Sequence, residues 1–178
     1  MQKKPTVKQA LKPLTGYSVL DFSAVFAGPL CTRFLSDCGA TVIKIEPPNG
    51  GDVIRGPKGN SRIFAHFNAG KQSVAINLND PEGQELARTL AQDADIVIEN
   101  YRPGVMKKFG LDYASLTKNR DDLVYCSISG FGQSGPFVHH AAYAPIAHAA
   151  SGFDAAFAKV QPEPDQPPPI WSIMIADM

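Results

Sequence analysis

The sequence has no excess of charge of either sign. Its 178 residues carry 17 lysines and arginines against 17 aspartates and glutamates, for a formal net charge of zero. A nucleic-acid binder shows a basic surplus, so that class is excluded, as is a polybasic membrane-surface protein. No run of about 18 apolar residues occurs, which excludes a membrane-crossing helix. The basic start Met1-Gln2-Lys3-Lys4-Pro5 leads into polar residues and prolines. A secretory leader would continue into an apolar core. Cysteine is scarce: Cys31, Cys38 and Cys126 are odd in number and have no metal-ligand spacing. They read as buried thiols in a reducing compartment, and the protein as soluble and cytoplasmic. Histidine adds nothing metal-like, because His66, His139, His140 and His148 form no paired helical motif and no acid cluster joins them.

What is present is an ordinary globular composition, 44% hydrophobic, enough to bury a core at this length. Tyr17 to Phe22 reads as a strand. Gly28-Pro29 opens a helix with an apolar stripe of Leu30, Phe34 and Leu35, and Gly39 ends it. Thr41 to Ile45 is a second strand, completing a βαβ unit. Residues 46 to 62 read as loop, and Ser73 to Leu78 as a third strand. Asp80-Pro81-Glu82 starts a helix whose buried side is marked by Leu86 and Leu90. Asp95 to Ile98 and Leu123 to Ser127 are further strands, with short helices after Pro103-Gly104 and over Tyr113 to Lys118. Ala141 to Ala150 reads as helical. Pro162 to Pro169, with five prolines in eight residues, reads as an extended loop. Nearly continuous apolar strands alternating with helices predict an α/β fold: a Rossmann-like open parallel sheet with helices on both faces. Ligands would then gather at the carboxyl edge of the strands.

Several motifs carry chemical meaning. Gly130-Phe131-Gly132-Gln133-Ser134-Gly135 has the letters of a dinucleotide-binding loop. Pro136-Phe137-Val138-His139-His140 is a poor helix start, however, so a glycine loop shaping a substrate entrance fits better. Neither a nucleophile elbow nor a Walker A loop is present. Asp177 ends the apolar run Ile173 to Ala176. A carboxylate there would be desolvated and more reactive, although the position also suits a helix cap.

Taken in order, the motifs resemble those of family III CoA-transferases, the group that includes formyl-CoA and carnitine-CoA transferases and the alpha-methylacyl-CoA racemases. The likeness runs through Val19-Leu20-Asp21-Phe22, Ala27-Gly28-Pro29, Val42 to Pro48 and Gly51-Asp52. It continues in Asn68-Ala69-Gly70-Lys71-Gln72-Ser73, Glu99-Asn100-Tyr101-Arg102-Pro103-Gly104 and Ser127-Ile128-Ser129-Gly130-Phe131-Gly132, and ends in Tyr143 to Gly152 and Ile175-Ala176-Asp177-Met178. The resemblance implies an enzyme that transfers CoA between an acyl-CoA and a small carboxylic acid, with Asp177 as the nucleophile that forms a mixed anhydride. It further implies that Phe26, Ala27, Lys71, Asn100, Tyr101 and Lys108 line the CoA path, with coenzyme A bound as acyl-CoA substrate and no metal. Each of these has a plainer role open to it. Lys71 and Lys108 could be solvated lysines, Asn100 a helix cap and Tyr101 core packing.

The racemase branch is the alternative on the same scaffold, but its catalytic histidine aligns with Tyr143, a poor base at neutral pH. A non-catalytic CoA-binding remnant is a further alternative. By resemblance, residues 1–13 are an N-terminal extension and 14–178 the N-terminal part of the large CoA-binding domain. The chain would be cut before a second domain, and the full-length protein would be an interlocked homodimer.

Overall fold

The structure is a computed structural model and describes residues 11–57, 59 and 61–159. Five strands form one parallel sheet: β1 (Ser18–Asp21), β2 (Thr41–Glu46), β3 (Gln72–Ala75), β4 (Ile96–Glu99) and β5 (Val124–Ser127). Their spatial order is β3-β2-β1-β4-β5. The chain builds outward from β1 to β3, then crosses back to lay β4 on the other side of β1. This reversal leaves a crevice at the carboxyl ends of β1 and β4, the place where open α/β sheets take ligands.

The helices are α1 (Ala27–Asp37), α2 (Arg62–Asn68), α3 (Pro81–Gln92), α4 (Val105–Lys108), α5 (Tyr113–Leu116), α6 (Ala144–Ser151) and α7 (Phe153–Ala158). Successive strand residues point to opposite faces, and the core divides accordingly. Val19, Val42 and Ile98 lie on one face with Cys31 and Leu35 of α1 packed against them. Leu20, Ile45 and Val97 lie on the other with Ala87 and Ala91 of α3, Met106 and Leu111. Helices lie on both faces, and the apolar residues Val19, Leu20, Val42, Val97 and Ile98 of the three central strands are buried between them.

Several sequence expectations are corrected. The expected loop over 46 to 62 is interrupted by one 3-10 turn, Val53–Arg55, and α2, for which no element was expected, follows. Ser61 caps it by accepting the Phe64 N–H (3.3 Å), and Phe67 meets Phe26 edge-on with ring centroids 5.2 Å apart. Leu86 is not a buried marker of α3, being 50% exposed. The buried positions are Ala87 and Ala91, small enough for the helix to lie close to the sheet. Phe34 of α1 is likewise 60% exposed. Cys31 and Cys126 are half-buried, whereas Cys38 is exposed. β3 ends at Ala75, although Ile76 and Leu78 beyond it remain core residues. Among the described residues no helix is long and apolar enough to cross a membrane. The proline-rich segment and Asp177 lie outside the described residues.

Candidate functional site

On the α1 face of the sheet, the strands change character toward their carboxyl ends. Two residues past Val19 stands Asp21; past Val42 stand Lys44 and Glu46; past Ile98 stands Asn100. Asp21 and Lys44 are register partners on adjacent strands. Asp21, Lys44 and Glu46 are all buried, so each must be paired.

They are. Asp21 accepts the Ser23 N–H (2.9 Å), the Ser23 hydroxyl in a very short bond, and the Thr32 hydroxyl (2.6 Å). It is ion-paired with Lys71 (3.1 Å). Lys44 donates to the Ser23 carbonyl (2.6 Å) and pairs with Asp52 (3.0 Å). Glu46 takes a bidentate guanidinium from Arg55 (2.6 Å for each bond), the Ser73 hydroxyl (2.7 Å) and the Asp52 N–H (2.9 Å). Burial alone would raise the Glu46 carboxyl, but these donors outweigh it and hold the group at about 2. Burial, reinforced by neighbouring Lys44, brings Lys71 down to about 8 even though Asp21 opposes the change.

This network supports the turn between β1 and α1. Asn100 closes a two-bond clamp on Ala24, accepting its N–H (2.9 Å) and donating to its carbonyl (2.8 Å). Asp52 accepts the next N–H, that of Val25, through both oxygens at 3.2 Å. Val25 has φ +69°, the sole positive φ at a non-glycine position among the described residues. For a β-branched residue the left-handed region is unfavourable by about 1–2 kcal/mol. The turn delivers Phe26 and Ala27 to the amino end of α1, which has no side-chain cap. Gly28 is required by close approach, because a Cβ there would lie 2.2 Å from the Ser23 Cβ.

The expected site residues fall into three groups. Phe26 and Ala27 stand at the amino end of α1, which follows β1, and Asn100, just past β4, clamps Ala24 of the same turn and is not a helix cap. Tyr101 adjoins them, half-buried against the core and edge-on to Phe109 (6.3 Å). Its N–H is bonded to the buried Glu99 carboxylate (2.8 Å), whose pKa burial raises. Lys71 is near the same turn, but its ammonium is engaged by Asp21, the Pro29 carbonyl (2.9 Å) and Asn68 (2.9 Å). It is therefore not a solvated lysine. Lys108 is exposed in α4.

The glycine-rich loop after β5 leads into turns around Phe137 and His140, and α6 begins only at Ala144. Gly130 is constrained by Ala142, whose Cβ would stand 2.2 Å from an added Cβ. This is not the helix start that a dinucleotide loop needs. Asp21, Lys44, Glu46, Asp52 and Arg55 are supporting residues to which sequence reasoning assigned no role. The available signal was a lysine between Ile43 and Ile45 in the interior of β2.

Comparison with known proteins gives this arrangement a context. The chain is 43% identical over 148 residues to the succinyl-CoA:glutarate CoA-transferase of Mus musculus, a match that covers 80% of this chain and 34% of that protein. It is 41% identical over 177 residues to the succinate–glutarate CoA-transferase of Agrobacterium fabrum, covering 93% of this chain and 43% of that protein. Among solved structures, a CAIB/BAIF family protein from Brucella suis superposes with a TM-score of 0.85 at 37% identity, covering 95% of this chain and 46% of that one. The chain thus spans less than half the length of these relatives. The sequence profile of CoA-transferase family III matches residues 14–178, and the chain belongs to that family.

Proposed function

We propose that the protein moves CoA between an acyl-CoA thioester and a carboxylic acid, and that this chain supplies the CoA-binding crevice and the nucleophile. The observation that carries the reading is the Asn100 clamp on Ala24, in the turn that leads Phe26 and Ala27 into an uncapped helix amino end suited to an anion. The similarity to succinyl-CoA:glutarate transferases favours dicarboxylic acids as the exchanged groups.

In the proposed reaction the Asp177 carboxylate attacks the thioester carbonyl, expelling CoA thiolate and forming an aspartyl-acyl mixed anhydride. The acceptor carboxylate then displaces the donor acid from the aspartyl carbonyl. The thiolate attacks the new acyl group, forming the product thioester and freeing Asp177. The same reading includes Lys108 as a charge for the CoA phosphates, residues 14–178 as part of a larger CoA-binding domain, a homodimeric native protein and a cytoplasmic location.

The test is to incubate the native protein with succinyl-CoA and glutarate, then add hydroxylamine. The expected result is glutaryl-CoA formation, with a hydroxamate at Asp177 in the trapped enzyme. Transfer without any hydroxamate would refute the anhydride. No transfer across a panel of acyl-CoA donors and acids would refute the function.

A further inference from the structure

We infer that Lys44 and Asp52 are positioning residues for ligand binding: the buried pair holds the β1–α1 turn in the left-handed geometry at Val25 that the crevice requires. The inference rests on the proposal that this crevice takes CoA.

The turn itself is held at each of its residues. Ser23, Ala24 and Val25 present their backbone polar groups to side chains from three other segments. Lys44 of β2 binds the Ser23 carbonyl, Asn100 beyond β4 binds both polar groups of Ala24, and Asp52 binds the Val25 N–H. A valine would leave φ +69° if nothing held it there. The holding group is Asp52, and its charge is in turn fixed by Lys44 at 3.0 Å. Both side chains are 1% exposed, so neither is available to touch a ligand and any effect on binding must pass through the turn. Glu46 completes the support by accepting the Asp52 N–H. An apolar pair would fill this space at less desolvation cost. What the ionic pair adds is directional anchoring of the Ser23 carbonyl and the Val25 N–H, one peptide unit on each side of Ala24.

The experiment uses the native protein and three variants: Asp52→Ala, the double variant Asp52→Ala with Val25→Gly, and Val25→Pro. Glycine accepts positive φ without strain, and proline forbids it while removing the N–H. Asp52→Ala is expected to raise KM for acyl-CoA about tenfold while kcat changes less than about threefold, the pattern of lost uniform binding. Adding Val25→Gly should recover at least about threefold of that loss, which a purely structural role for Asp52 would not allow. Val25→Pro leaves the buried pair intact and should raise KM as much as Asp52→Ala. It therefore keeps the test decisive if Asp52→Ala does not fold. A normal KM in folded Val25→Pro, or no recovery in the double variant, overturns the inference.

Calorimetry of the unaltered protein with CoA separates the two readings. If CoA does not bind, the functional proposal fails. Hydrogen exchange at the Ala24 and Val25 amides then decides the clamp alone, faster exchange at both in Asp52→Ala supporting it and unchanged exchange overturning it.

Discussion

Replacing Glu46 with Gln tests the electrostatic account of the network directly, because the substitution keeps shape and removes charge. In the folded protein the carboxyl is held at about 2 by Arg55, Ser73 and the Asp52 N–H, against the opposing effect of burial. A free glutamate titrates at about 4.3, and at about 1.4 kcal/mol per pKa unit the ionised form contributes about 3 kcal/mol to folding. Because the folded value is depressed, this contribution is fully present above about pH 4.5 and is lost as the pH falls toward 2. Relative to the unaltered protein, E46Q should therefore be less stable by about 3 kcal/mol at about pH 6 and by about 1.4 kcal/mol at about pH 3, the two converging near pH 2. Arg55 is only partly exposed (27%) and its partner 4%, so solvent and salt screen the pair weakly. The assay is urea unfolding followed by circular dichroism at several pH values for both proteins. A deficit that is the same at both ends of that range would show that shape, not charge, is what Glu46 contributes, and would refute the reasoning.

Four further outcomes follow from the same contacts. Asp21→Asn leaves the Lys71 ammonium in a buried site without its ionic partner, so a loss of roughly 3–5 kcal/mol in unfolding free energy is expected. In the same variant the Lys71 pKa should move below its present value of about 8, read as faster acylation of that lysine at neutral pH. Gly28→Ala forces the amino end of α1 away from Ser23 and should cost about 1–3 kcal/mol by overpacking, measured as a lower Tm. Tyr143 stands where the racemase histidine would align and is a poor base at neutral pH, so the native protein should show no exchange of the acyl-CoA alpha proton with solvent deuterium. Exchange that Tyr143→Phe abolishes would revive the racemase alternative.

The legible parts of this fold are those whose signal is local. Parallel strands covered on both faces carry short apolar runs, so Val19-Leu20 and Val97-Ile98 stand out as strands on sequence alone. Asp80-Pro81 carries its own helix start, and Asp80 indeed accepts the Glu82 N–H (2.9 Å). Where the deciding contact is distant, the sequence is silent or misleading. The helix over Arg62–Asn68 has one modest cap and owes its place to Phe67 meeting Phe26, far earlier in the chain. Leu86 and Leu90 have helical spacing, but the sheet selects Ala87 and Ala91 because close packing favours small residues there.

The site follows the same rule, and the polar half of it leaves a trace in the strand pattern. Strand residues two apart share a face. Counting from the apolar positions Val19, Val42 and Ile98 therefore puts Asp21, Lys44, Glu46 and Asn100 on the α1 face at the carboxyl edge. Four polar or charged residues at positions where the pattern calls for apolar ones cannot all be surface accidents of one sheet face. Their burial requires partners, and the partners require that loops such as Gly51-Asp52 and Asn68 to Lys71 fold back over that edge. Which loop supplies which partner is not decidable from spacing, because the Asp21–Lys71 bond spans 50 residues and the Val25–Asp52 bond 27. The strained valine is invisible in the sequence for the same reason. Valine's own preference opposes φ +69°, and only the acceptors of Asp52 together with the clamp of Asn100 account for it.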